Sequence, residues 1–203
     1  MPEQGSSNGD KPPKIPWDEL EVQFICGDIT PSSFSCSDEK LNDFLYCRAY
    51  LGHTHCVSVT HLVMHNGNLV GFFSLANGMI KKGKVQESHR KTDFDHDYPV
   101  LKIARLATHQ DYEGRDVGTY MIYRAIVIAE TISEMSGCKF VAVDAKVKSA
   151  RWYLSRGFVG ADPPEKWITD PEATVPLYLD YKGIFKKAES QENFVDNVDS
   201  IEG

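Results

Sequence analysis

Apolar positions along this chain switch between a period of two and a period of three to four, and the switches mark its elements. Over residues 20–26, Leu20, Val22, Phe24 and Cys26 alternate with Glu21 and Gln23, which predicts a first strand with one buried face. Residues 38–51 then read as a helix with Leu41, Phe44 and Leu45 inward. Ser35 or Ser37 can cap it, and Asp38 and Glu39 sit near its positive end. The β-branched run 56–64 and the apolar run 69–75 flank His65-Asn66-Gly67-Asn68, and Asn-Gly between two such runs predicts a hairpin. His61 and His65 share parity with Val57, Val59 and Val63, so at least one is expected to face a half-buried surface as a structural residue. Residues 78–99 lack a period and are expected as an exposed loop, with a helical turn, over or beside the active surface.

The second half is more regular. Residues 100–107 predict a strand, and Met121, Ile122, Ala125, Ile126, Ala129 and Ile132 recur at three and four, the face of a long helix that Ser136-Gly137 stops. An apolar strand is predicted over 138–144. A short helix capped by Ser149 follows, with Ala150, Trp152, Tyr153 and Leu154, and Gly157 ends it. A strand begins at Phe158, and residues 173–181 close the fold with Val175, Leu177, Leu179 and Tyr181 on one face. This order predicts a mixed α/β fold with one crossover unit rather than a doubly wound sheet. Residues 1–18, rich in Gly, Ser and Pro, are expected as a disordered tail, 19–183 as one domain, and 184–203 as an acidic disordered tail.

Between the strand at 100–107 and the long helix lies Glu113-Gly114-Arg115-Asp116-Val117-Gly118-Thr119. A strand, a glycine-bearing loop and a helix start present free N–H groups backed by the helix dipole, an arrangement that suits a pyrophosphate. An ordinary tight strand-to-helix turn fits the same residues equally well.

Composition narrows the classes. Hydrophobic and charged contents of 41% and 25% are those of a water-soluble globular protein. No apolar run reaches the roughly 18 residues of a membrane span, and the N-terminus carries no apolar signal core, so a cytoplasmic location is expected. The five scattered cysteines predict reduced thiols. Cys47, His53, His55 and Cys56 lack the usual ligand spacing, so no metal is expected. A net charge of -7 argues against broad nucleic-acid binding, although five acids with no bases in residues 188–203 leave the rest nearer neutral. Basic residues gather at Lys81, Lys82, Lys84, Arg90, Lys91, Lys102 and Arg105, and again at Lys146, Lys148 and Arg151.

Three segments together resemble the GNAT superfamily of acetyl-CoA-dependent N-acetyltransferases. LATHQDYEGRDVGTYM is similar to its acetyl-CoA loop, [Gln/Arg]-x-x-Gly-x-[Gly/Ala], and VDAKVKSARWYLSRGF to its second motif, ending in ARWYLSRGF. LNDFLYCRA with LVGFFSLANG resembles the toxin-like acetyltransferase subgroup of toxin–antitoxin pairs. The matches run over roughly residues 20–182.

The resemblance implies a GNAT fold: a mixed, mostly antiparallel sheet, splayed at an acetyl-CoA slot, with helices on both faces. Its implied cosubstrate residues are Leu106, Ala107, Thr108, Glu113, Gly114, Arg115, Asp116, Val117, Gly118, Thr119 and Ser149. The N–H of Leu106 or Ala107 is the implied oxyanion donor. Tyr153 matches the tyrosine that protonates the departing CoA thiolate, a role its ordinary pKa near 10 permits. His109, Asp144 and a water chain all stand open as base. Glu113 replaces the usual Gln or Arg and Asp116 the first signature glycine, which places two negative charges beside a pyrophosphate. Acetyl transfer to a primary amine by direct attack is the implied function. Alternatives are a toxin acting on aminoacyl-tRNA, with a tRNA and an antitoxin as partners, and a non-catalytic acyl-CoA-binding module. The resemblance also implies a possible homodimer, and acceptor sites built from loops such as 78–99 and 163–172.

Overall fold

The computed structural model describes residues 12–30, 33–91, 93–162, 170 and 172–182. Its strands are β1 (Glu21–Phe24), β2 (Val59–His65), β3 (Asn68–Ile80), β4 (Tyr98–Thr108), β5 (Phe140–Lys146), β6 (Val159–Gly160) and β7 (Thr174–Leu179). The helices are α1 (Glu39–Cys47), α2 (Ala49–Thr54), α3 (Val117–Met135) and α4 (Val147–Leu154). One sheet in the order β1-β2-β3-β4-β5-β7-β6 carries all seven strands. Only the β4–β5 pair is parallel, because α3 is the one crossover that carries the chain back to the starting end of the sheet.

Helices cover both faces. On one, the buried stripe of α3 (Met121, Ile122, Ala125, Ile126 and Ala129) packs with Val70, Phe73, Leu101, Ile103 and Val141. Ala150 and Tyr153 of α4 and Leu177, Leu179 and Tyr181 join the same core, as the closing strand's alternation predicts. On the other face, Phe34, Leu45 and Ala49 lie against Leu62, Leu69 and Phe72. Strand β3 is therefore buried on both sides from Leu69 to Leu75, which explains its unbroken apolar run. The hairpin forms as its turn residues dictate, with Asn66 and Gly67 both at positive φ (49° and 76°).

Several local expectations change. Strand β1 is a four-residue edge strand whose alternation fails at Phe24, which is exposed, while Ile25 is buried. The helix after it starts at Asp38, whose carboxylate accepts the N–H of Lys40, and Arg48 divides it in two. Helix α4 starts before Ser149, so that serine caps nothing. Both His61 and His65 are buried. His65 bonds the Glu19 carboxylate at 3.1 Å.

Residues 78–99 are partly sheet, since β3 runs on to Ile80, and the remainder makes two short 3-10 turns. That segment is pinned by Val85 against Tyr98, Val100, Phe140 and Tyr178, with the Gln86 N–H donating to the Tyr178 hydroxyl at 2.8 Å. Those contacts lie where β4 and β5 begin, the end opposite the predicted slot. Residues 12–18, expected within the tail, are ordered because Ile15 is buried and Trp17 packs on Tyr120 and Tyr123. Residues 1–11, and 183–203 with the acidic C-terminal stretch, lie outside the described residues. Among the described residues no helix is long and apolar enough to cross a membrane.

Candidate active site

The site begins as a defect in sheet pairing. Parallel pairing of β4 with β5 runs only from Val100–Phe140 to Ile103–Val143. At the same point the β4–β3 register slips: Leu75 faces Ile103 and Ser74 faces Arg105, leaving Ala104 as an extra residue. A bulge bends its strand, and here the bend turns the second half of β4 away from β5. The alternation of antiparallel pairing then decides which backbone groups face the gap. The His109 N–H donates to the Val70 carbonyl at 2.9 Å, so Ala107 and Arg105, on the same parity, direct their groups at β3. Leu106 and Thr108 turn theirs into the slot. Of the two oxyanion donors expected from sequence, the Leu106 N–H faces the gap.

A cavity of about 460 Å³ fills this gap. All the expected cosubstrate residues except Arg115 line it, together with Tyr153. Arg115 instead turns outward, donating from Nε to the Pro13 carbonyl at 3.1 Å and lying over the Tyr112 ring. Asp116 precedes α3 at φ 70° and makes no side-chain cap. Left-handed backbone explains why a glycine suits this position. It also leaves the first N–H groups of α3 without a capping side chain, facing the cavity in the manner that binds anions. Glu113 and Arg115 N–H groups are used inside the loop, on Gln110 and Tyr112 carbonyls at 3.4 Å each. The donors left for a ligand are those of Gly114 and 116–119.

Gly118 is needed for a different reason. A Cβ there would stand 2.8 Å from the Trp152 ring, so the indole of α4 lies directly on the loop. Trp152 in turn carries the Arg156 guanidinium, 3.9 Å above its centroid, whose Nε donates to the Thr119 hydroxyl at 3.0 Å. Partial burial lowers the Arg156 pKa, opposed by the nearby Asp116 carboxylate, and it stays cationic at neutral pH. Sequence reading missed Arg156 and Trp152 as cavity residues. The signal was present in ARWYLSRGF, since residues 152 and 156 lie four apart on one side of the helix end.

Tyr153 sits at the bottom, 7% exposed, edge-on to Trp152 and Phe158. Among the described residues its hydroxyl has no hydrogen-bond partner, and burial raises its pKa far above the ordinary phenol value. A phenol buried in this way keeps its proton at neutral pH. A second cavity, about 560 Å³, opens beyond it between α1, β4 and β5. Asp38, Leu41, Leu106, Ser149 and Tyr153 line both, so the two cavities meet at the tyrosine. The second mouth carries Lys40, Asp43, Arg48, Arg105 and Lys146 from α1 and the parted strands and Glu172 from the second expected loop, with nothing from residues 78–99; residues 163–169 and 171 of that second loop lie outside the described residues.

Lys146 bridges Asp38 and Glu172, and those two bonds raise its pKa. Lys146 and Lys148 together hold the Glu172 carboxyl at about 2. Of the two side chains open as base, His109 uses Nδ1 to accept the Asp111 N–H at 3.2 Å, and Asp144 is paired with Lys102.

A slot between a bulged strand and its parallel neighbour, an uncapped helix start at one end and a buried tyrosine between two mouths is a recognisable architecture. Residues 23–158 match the family model described as the acetyltransferase (GNAT) family. A tRNA-acetylating toxin of Mycobacterium tuberculosis is 29% identical over 124 residues, covering 61% of this chain and 73% of that protein. The fold is shared with AtaT complexed with acetyl-methionyl-tRNAfMet, at a TM-score of 0.69 and 20% identity, over 81% of this chain and 96% of the other. A mutant AtaT toxin bound to the C-terminus of the antitoxin AtaR and acetyl-CoA aligns at a TM-score of 0.63 and 19% identity, over 82% and 96%. The family match takes in α1 through α4, with every lining residue of the first cavity and all of the second except Glu172 and Thr174, and the chain is a member of the GNAT family of acetyltransferases.

Proposed function

We propose that this chain transfers the acetyl group of acetyl-CoA to the amine of an aminoacyl-tRNA. The observation that carries the transfer is the meeting of the two cavities at Tyr153, one lined by the anion-accepting loop and the other open to an acceptor. Fit for acetyl-CoA rests on the uncapped start of α3, the Arg156 cation and the slot-facing backbone of Leu106 and Thr108. The pyrophosphate would be held by N–H groups of 114 and 116–119, and the pantetheine by the exposed β4 edge.

An amine entering from the second mouth attacks the thioester carbonyl. A C–N bond forms, the C–S bond breaks, and the ammonium proton leaves to solvent. The Leu106 N–H receives the developing oxyanion. Tyr153 gives its proton to the departing sulfur and takes one back from solvent, in exchange for the one the ammonium released. Its raised pKa keeps that proton in place until a thiolate forms in the same desolvated slot, where the thiol's pKa is raised as well.

The tRNA-linked amine is supported by the M. tuberculosis relative and by the tRNA complex of AtaT, and the AtaT structure with the C-terminus of AtaR supports a protein antitoxin as a partner. Lys40, Arg48 and Arg105 at the acceptor mouth are the cations that would meet the RNA. The lysines of 81–91 are at the far end of the sheet and would not.

Incubation with labelled acetyl-CoA and charged tRNA tests the substrate. Label on the aminoacyl group is expected; label only on small amines would leave an acetyltransferase of another acceptor. Glu113 and Asp116, the loop's two departures from the family pattern, leave one rival in view, an acyl-CoA-binding module without turnover. It predicts binding with no acetylated product from any amine.

A further inference from the structure

The first described segment clasps the anion loop from outside. Main chain joins the two at Ile15, whose N–H donates to the Arg115 carbonyl at 3.1 Å, and Arg115 returns a bond to the Pro13 carbonyl. Ile15 is buried in the main core at 2% exposure. The Pro12 ring lies over Gly114, at 3.4 Å from where a Cβ would stand. The Tyr120 hydroxyl of α3 donates to the Leu20 carbonyl at 3.1 Å, so the segment is tied at both ends.

From this clasp Lys14 reaches the loop's misfit charge: its Nζ is 3.4 Å from Asp116 Oδ2. The pair is unequal, since the lysine side chain is 76% exposed and the aspartate 22%. Exposed pairs of this kind contribute little to stability, so folding alone gives Lys14 little purpose. Asp116 lines the cavity at the start of α3, where its carboxylate opposes any incoming anion. Arg156 faces that charge from inside the cavity and Lys14 from outside.

We propose that residues 12–16 are part of the cosubstrate site, with Lys14 as a positioning residue that neutralises Asp116 so that the loop accepts a pyrophosphate. This rests on the acetyl-CoA reading above. The clasp fixes the loop's backbone, and the ammonium offsets the one carboxylate that a glycine at this position would not bring. An anion bound at the loop and a docked clasp then favour each other.

Calorimetric titration of CoA into the full chain tests it. Lys14→Gln is expected to weaken CoA about three- to tenfold, a loss of the size one screened unit charge near a polyanion gives. Asp116→Asn is expected to bind CoA at least as tightly as the natural chain, and in that background the Lys14→Gln loss should shrink to within about twofold. Unchanged CoA affinity in Lys14→Gln, or an undiminished loss in the Asp116→Asn background, overturns the role of Lys14 while leaving the acetyl-CoA reading intact. Absence of CoA binding by the natural chain overturns both.

Discussion

At the residue scale the proposed chemistry turns on one phenol kept neutral by burial. Tyr153→Phe removes a proton donor without changing shape, so kcat should fall by about two to four orders of magnitude. CoA affinity should move less than about twofold, which calorimetry beside single-turnover kinetics would separate. A purely structural tyrosine predicts the reverse, a lower melting temperature with kcat retained. Gly118 makes a second test, because a methyl group 2.8 Å from the Trp152 ring forces the indole and its stacked Arg156 off the loop. Gly118→Ala should destabilise the fold by about 1–3 kcal/mol in denaturant titration and weaken CoA binding as well. The tyrosine was legible in the sequence through its nine-residue motif. Arg156 was not, because a positive charge at a helix end has many uses, and only contact with Thr119 and Trp152 gives it this one.

At the element scale, pairing rather than propensity builds the site. The central strands are recognisable by their own patterns, yet the slot exists because β4 carries one residue too many opposite β3 and parts from β5 at Ile103. No local pattern announces that extra residue. Strand β2 carries a different consequence of pairing. His61 stacks on Phe73 at 4.7 Å and lies under Phe24, with Nδ1 buried and unpartnered among the described residues. Burial first, then the neighbouring His53 and Arg124 charges, push its pKa down to about 4 from an ordinary 6.5. The unfolded chain therefore takes up a proton at a higher pH than the folded one. Stability from the neutral imidazole is complete above pH 6.5 and is lost as pH falls from there through about 4, a change of about 3 kcal/mol. Denaturant titrations across that window should show this slope in the natural chain and lose most of it in His61→Phe. An equal slope in both would place the acid sensitivity elsewhere.

At the scale of the whole molecule, the proposed tRNA substrate would have to be met by a small basic surface, because the net charge is -7. Lys40, Arg48 and Arg105 at the acceptor mouth alternate with Asp38, Asp43 and Asp144, so the number of phosphates neutralised is small. The KM for charged tRNA should therefore rise with salt at a slope of about two to three in logarithmic units, far below the value near ten of an extensively basic protein. Arg105→Gln should lower that slope by about one with kcat unchanged. A salt-independent KM would remove these cations from RNA contact.

What the sequence by itself determined were features written in neighbouring residues: strand and helix periods, the Asn-Gly turn, the glycine loop before α3 and the tyrosine motif, because each depends on backbone geometry a few residues long. The tertiary structure decided what depends on distant segments meeting. It aimed Leu106 into the gap through the register with β3, set the second cavity against α1 and Glu172 rather than residues 78–99, and brought Lys14 to Asp116 across 102 positions of chain. Spacing along the chain carries no information about such encounters, which follow from how two buried faces of one sheet are covered.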